Sequence, residues 1–241
     1  MHASSKLTLL LSIAYARSVK GFSRSTQVLY CLLFAMRYMD IFVNDQVAYL
    51  LYMKLFYTGS SVFVLCLFSF LRSTYEAQYD TVSLCFVVVP CVVLSIMTRA
   101  DESILETAWT FSQFVEGFAM VPQYVFCYRQ KEVGSLGTTL YVTGMGCYRF
   151  MYILNWIYKK RVSSFYFDGI SWTSGAINLL FFCDFLCYRF VGVSMLRAVV
   201  LRADTRINTI SEKVEARVLG SSSGDRTGED AEELHEHWPF T

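Results

Sequence analysis

The sequence predicts an all-α membrane protein of seven transmembrane helices, arranged as two three-helix bundles plus a linker helix, and three observations carry that prediction. The chain is 54% hydrophobic and only 17% charged over 241 residues, with three prolines, and its mean hydropathy of +0.39 lies to the apolar side of ordinary soluble domains. Seven apolar runs, near 2–19, 27–43, 47–71, 81–98, 103–128, 138–158 and 165–191, approach the roughly 20 residues that cross about 30 Å of hydrocarbon as helix. Two runs read as copies of one unit. LYCLLFAMRYMDIFVN (29–44) and LYVTGMGCYRFMYILN (140–155) share a Leu-Tyr start, an arginine followed by an aromatic and Met, and a closing Asn, with arginine registers one residue apart. The second and sixth segments then hold equivalent places in two three-helix units, and the fourth joins them, a repeat architecture known in membrane folds.

The first segment is short and reads as a retained helix rather than a cleaved signal. His2 stands at its start. With an ordinary pKa of about 6.5 it is the natural proton sensor of a chain whose other histidines, His235 and His237, lie in the tail. The second segment carries Arg37 and Asp40, whose spacing of three lets them pair on one helix face. All eight cysteines fall inside the apolar segments, where they read as small buried hydrophobes rather than disulfide partners.

Loop charge gives the orientation. Connections after the first, third and fifth segments hold Arg17, Lys20 and Arg24, then Arg72, then Arg129 and Lys131; those after the second and fourth offer only Arg99. The positive-inside rule therefore expects a luminal or external N-terminus and a cytosolic C-terminus. Lys159, Lys160 and Arg161 dissent, which reads either as a contact for an anionic ligand on that side or, for Arg161, as solvent-facing filler.

Charged residues near helix centres cost roughly 2.5–3.5 kcal/mol on insertion scales and usually face protein, water or a ligand. On the fifth segment Glu106, Trp109, Gln113 and Glu116 recur at helical spacing; on the sixth, Arg149, Tyr152, Trp156 and Lys159 do the same, with Tyr148 beside them. These stripes predict a polar cavity. Arg37, Arg149 and Lys159 would grip carboxylates, Asp40 and Glu106 a cation, and Trp109 an alkyl-ammonium by cation–π contact. Such a site suits a zwitterionic, mainly acidic peptide end. No triad or activated nucleophile is spaced for catalysis, no metal or cofactor is expected, and the net charge of +1 gives no argument for nucleic acid. The domain reading is a receptor domain over 1–201 and a disordered cytosolic tail over 202–241, whose isolated His-Glu-His lacks the further ligands of a metal site.

The motifs STQVLYCLLFAMRYMDIF, FVVVP, WTFSQFVEGFAMVPQ, YRFMYILNWIY and FCDF, in this order over about residues 2 to 190, resemble the ER lumen protein-retaining (KDEL) receptors. That resemblance implies a SWEET/PQ-loop-like fold and a multi-pass protein of Golgi and endoplasmic reticulum membranes. It also implies pH-dependent capture of the C-terminal tetrapeptide of escaped luminal proteins, which return in retrograde coatomer vesicles. By the same resemblance Arg37, with Tyr38, takes the peptide's terminal carboxylate and Arg149 helps close the cavity; Lys159 stands for an arginine that contacts an acidic side chain. Asp40, Glu106 and Trp109 receive the first, basic residue, and Asn44 and Trp156 join the recognition set. His2 matches the pH-sensing histidine, with Glu116, Tyr148 and Tyr152 in the network that answers it, and Asp184 matches an aspartate tied to retrograde transport.

Three departures stand against the family pattern. The family's arginine several residues ahead of the histidine is missing, which implies an upstream start or one carboxylate contact fewer. Lys159 replaces a planar two-pronged donor by a point charge. The tail lacks the short lysine motif for coatomer, with Arg197 and Arg202 the nearest substitutes. A SWEET/PQ-loop-like transporter of a small zwitterionic or anionic solute is the rival reading, carried by Pro122–Gln123 and the repeat.

Overall fold

The computed structural model describes residues 2–43, 47–130, 135–163, 168–194 and 197–199, and beyond them 202, 205–206, 209–210 and 212–214. Among the described residues every regular element is helical: α1 (His2–Ala16), α2 (Arg24–Arg37), α3 (Ala48–Phe70), α4 (Leu84–Thr98), α5 (Ile104–Phe118), α6 (Val121–Arg129), α7 (Leu136–Val162) and α8 (Gly169–Val191), with 3-10 turns at Met39–Phe42, Arg72–Thr74 and Ala77–Tyr79. Helices α3 and α8, each of 23 residues, are long and apolar enough to cross a membrane, and α4 is apolar but shorter. At 1.5 Å per residue the longer two reach about 35 Å, against roughly 30 Å of hydrocarbon.

Local chemistry sets the helix ends. Ser23, Ser103, Ser135 and Asp168 each accept the backbone N–H three residues on, so α2, α5, α7 and α8 all begin on a side-chain N-cap. Gly192, at φ 78°, closes α8 in the left-handed conformation that glycine adopts without a Cβ penalty. The fifth predicted segment is two helices. It breaks at Ala119 and Met120, ahead of Pro122 in the first turn of α6, where a proline has no N–H to waste. Gln123 uses the break to join elements far apart in sequence. Its Oε1 accepts from Ser23 N (2.9 Å) and its Nε2 donates to Gly21 O (3.0 Å).

Helix α5 is the hub, packed against α8, α2 and α4, while α1 lies against α7. Small residues make the α1–α7 approach close. A Cβ on Gly144 would fall 2.6 Å from Ser5 Oγ, and Gly137 faces Ser12 one heptad earlier, the small-residue packing used between membrane helices. The buried stripe of α1 is His2, Ser5, Lys6, Leu9 and Ile13, so this contact fixes where His2 points.

The cysteine expectation needs correcting. Cys91 is buried, but Cys66, Cys85, Cys183 and Cys187 are exposed on outward helix faces. In a membrane chain apolar residues face lipid as readily as core, so apolarity alone does not imply burial. Residues 215–241, where the sequence reading expects disorder, and Asn44 lie outside the described residues. Arg202, Thr205, Arg206, Thr209, Ile210 and 212–214, in the second of two compact units, are helical.

Candidate functional site

Helices α1, α2, α3, α5, α7 and α8 enclose a cavity of about 270 Å³ lined by His2, Phe34, Arg37, Tyr38, Tyr57, Gln113, Glu116, Tyr148, Arg149, Tyr152, Trp156 and Ser171. Its charge centre is one carboxylate between two guanidiniums. Arg37 Nη1 lies 2.8 Å from Glu116 Oε2, and Arg149 Nη2 lies 2.7 Å from Glu116 Oε1. Tyr148 Oη donates to Glu116 Oε1 (3.2 Å), and Asn178 Nδ2 holds the backbone carbonyl of the same residue (3.0 Å). Arg37 is steadied further by Nε donating to Ser112 Oγ (3.0 Å). Two positive charges against one negative leave the lining with one uncompensated positive charge. Arg37 Nη2 and Arg149 Nε, both buried, have no hydrogen-bond partner among the described residues, and unpaired buried donors are costly enough to mark a place for an acceptor.

The His2 ring is caged by aromatics, with centroids 4.8 Å from Tyr148, 5.0 Å from Tyr57, 5.4 Å from Phe34 and 5.9 Å from Tyr30. One turn on, Lys6 is almost fully buried, donates to Ser61 Oγ and lies 4.9 Å over the Phe34 ring. It makes no ion pair among the described residues. Sequence reasoning passed over Lys6, because a single cation near a helix start looks like a solvated terminus until the fold buries it.

Several expected members stand elsewhere. Helix α2 ends at Arg37, and Tyr38 (φ −107°, ψ 18°) turns the chain into the 3-10 turn that carries Asp40. Arg37 and Asp40 therefore do not share a helix face, and the expected pairing between them is replaced by two others. Asp40 Oδ2 lies 2.5 Å from Lys54 Nζ of α3, while Arg37 turns to Glu116. Gln113 and Glu116 of the α5 stripe reach the cavity wall, but Glu106 and Trp109, both half-buried, are not among its lining residues. Glu106 Oε1 accepts from Thr110 Oγ1 (3.4 Å), and the Trp109 carbonyl accepts from Ser112 Oγ (2.6 Å), so it is the backbone of Trp109, not its ring, that touches the serine bonded to Arg37.

On α7, Arg149, Tyr152 and Trp156 line the cavity whereas Lys159 is exposed in the last helical turn. The run Lys159–Arg161 has a local cause, since cations are favoured near the negative end of a helix dipole. Asp184 lies apart from the cavity lining. It is buried and accepts from Tyr128 Oη (2.8 Å) and Ser194 Oγ (2.6 Å). Arg197, next along, donates to the Tyr128 carbonyl (3.4 Å) and stacks 5.1 Å over Tyr188.

The arrangement is therefore a partly apolar chamber with a net positive floor, suited to a small anionic group carried on an uncharged stem. Residues 18–159 match the family model described as ER lumen protein retaining receptor. The chain is 36% identical over 194 residues to ER lumen protein-retaining receptor B of Arabidopsis thaliana, covering 79% of this chain and 90% of the relative. It is 33% identical over 189 residues to the ER lumen protein-retaining receptor of Entamoeba histolytica (78% and 88% covered) and 34% over 185 residues to that of Drosophila melanogaster (76% and 86%). The chain belongs to the ER lumen protein-retaining receptor family.

Proposed function

We propose that this protein is a seven-span receptor, luminal at its N-terminus, that binds the free C-terminus of KDEL-like retention peptides on escaped luminal proteins. It binds them in acid and releases them at neutral pH, cycling from Golgi to endoplasmic reticulum. The carrying observation is the uncompensated positive charge of the cavity, with Arg37 Nη2 and Arg149 Nε buried and without hydrogen-bond acceptors among the described residues. A terminal carboxylate supplies the missing acceptors, and the aromatic walls of Tyr38, Tyr152 and Trp156 receive the side chains behind it.

His2 gives the pH response its sign. It faces Arg37 of α2, Tyr57 of α3, Glu116 of α5 and Tyr148 and Arg149 of α7 across the cavity, with Lys6 one turn below on its own helix. A proton on His2 adds to an already positive cavity and so favours an anionic occupant. Proton uptake linked to binding makes affinity full in acid and lets it fade as pH rises. Asp40, Glu106 and Trp109 are assigned to the peptide's first, basic residue on resemblance, outside the cavity lining. Asn44 and Lys159 are assigned to the same recognition set on resemblance. Asp184, with its Tyr128 and Ser194 clasp, is assigned to transport, and the tail beyond Arg202 to coat recruitment.

The test is binding of labelled tetrapeptides, as free acid and as C-terminal amide, to the purified full chain at acid and neutral pH. The free acid should bind in acid and the amide should not. Equal binding of the two rejects the carboxylate role of Arg37 and Arg149, and solute flux through reconstituted protein would instead favour a transporter.

A further inference from the structure

A second concavity lies on the opposite side of α2 and α5 from the peptide cavity. It has a volume of about 630 Å³ and runs between α2, α4 and α5, with Leu32 and Met36 on one wall, Val88 and Val92 on another, and Phe111 on the third. Val92 and Ile96 line it and are also 40% and 53% exposed, so the groove opens past α4. Along α4 the wall runs from Val88 to Arg99, about 16 Å at 1.5 Å per residue. Its mouth differs from its length. Arg99, with a side chain 27% exposed, lies there with Thr107 and Glu102; Nη1 donates to Thr107 Oγ1 (3.2 Å), while Glu102 is 93% exposed and 3.9 Å away.

We propose that this groove is a binding site for one glycerophospholipid, with an acyl chain between α2, α4 and α5 and the phosphate at Arg99. The proposal rests on the membrane-spanning reading of the helices. Three facts choose this occupant. An apolar slot open past α4 lies against bilayer in that reading, and an empty one forfeits dispersion contacts along its whole length. Its length and volume suit most of a single acyl chain. Arg99, the one cation among the described lining residues, sits at the end where a headgroup would lie, with the guanidinium fork that matches a phosphate. The site also has a structural neighbour of consequence. Met36 lines the groove next to Arg37 in the cavity, and Phe111 lines it next to Ser112, the residue that holds Arg37.

The experiment uses the full chain in phosphatidylcholine nanodiscs doped with a phosphatidylcholine that carries a diazirine on its acyl chain. Crosslinks mapped by mass spectrometry should concentrate on groove residues of α2, α4 and α5. The variant Val92→Trp, which fills the slot, should abolish those crosslinks, and Arg99→Gln should lower retention of phospholipid through delipidation by at least about tenfold, the scale of one charge-assisted contact. Val93→Trp, outside the groove lining, should leave both unchanged. Crosslinks spread evenly over the outward faces of α3, α4 and α8 in the unaltered protein would overturn the proposal whatever the variants do. Displacement by a sterol but not by phosphatidylcholine would overturn it too. Peptide binding on the same samples reports separately on the receptor reading.

Discussion

Replacing Arg149 by glutamine removes the more deeply buried of the two guanidiniums, whose side chain is 3% exposed against 17% for Arg37. Glu116 keeps Arg37 at 2.8 Å and the Tyr148 hydroxyl at 3.2 Å. The loss of stability should therefore fall below the 3–5 kcal/mol that accompanies an orphaned buried charge. The cavity lining, however, drops from one net positive charge to none. A hydrogen bond to a charged group contributes about 1.5–3 kcal/mol, and solvent screening is slight at so buried a site, so a peptide carboxylate should lose about 10- to 150-fold in affinity. Scaffold effects are removed by a cycle: unaltered protein and Arg149→Gln, each titrated calorimetrically with the free-acid peptide and its amide. The preference for the acid should shrink by the same 1.5–3 kcal/mol. An acid-to-amide ratio identical in both proteins would refute the reasoning, because it would mean that the carboxylate never approaches Arg149.

Four further outcomes follow from the geometry. His2→Ala should flatten peptide binding between acid and neutral pH, measured as a binding profile; an unaltered profile removes His2 as the sensor. Lys6→Met should leave thermal stability unchanged or raise it by up to about 4 kcal/mol, as when a buried ion is replaced by an apolar side chain of similar volume; a clear loss in a melting assay would refute this and show that the contact with Ser61 stabilises the fold. Gly144→Leu should push α1 off α7 at Ser5 and weaken both the fold and the acid response, with overpacking of about 1–3 kcal/mol visible as a lower melting temperature. Asp184→Asn removes the charge from the Tyr128 and Ser194 clasp and weakens it away from the cavity, so peptide affinity should stay within about twofold while the receptor's distribution between Golgi and endoplasmic reticulum changes in cells. A matching fall in affinity would tie the clasp to binding.

What the chain determined by itself is what reads residue by residue. Apolar runs carry the membrane class, because each position is charged the cost of solvation independently, and the motif order carries the family. Arg37, Glu116, Arg149, Tyr152 and Trp156 were legible as polar interruptions at helical spacing, and they line one cavity. Pairing was not legible in this way. Whether Asp40 or Glu116 faces Arg37 depends on where α2 stops, and one residue of non-helical backbone at Tyr38 sends Asp40 to Lys54 and leaves the guanidinium to α5. Lys6 meets Ser61 across 55 residues, a contact no spacing encodes. The tertiary structure decided these partners because the direction of the chain at a helix end, and the closeness that glycine and serine allow between α1 and α7, are properties of assembled backbone rather than of any window of sequence.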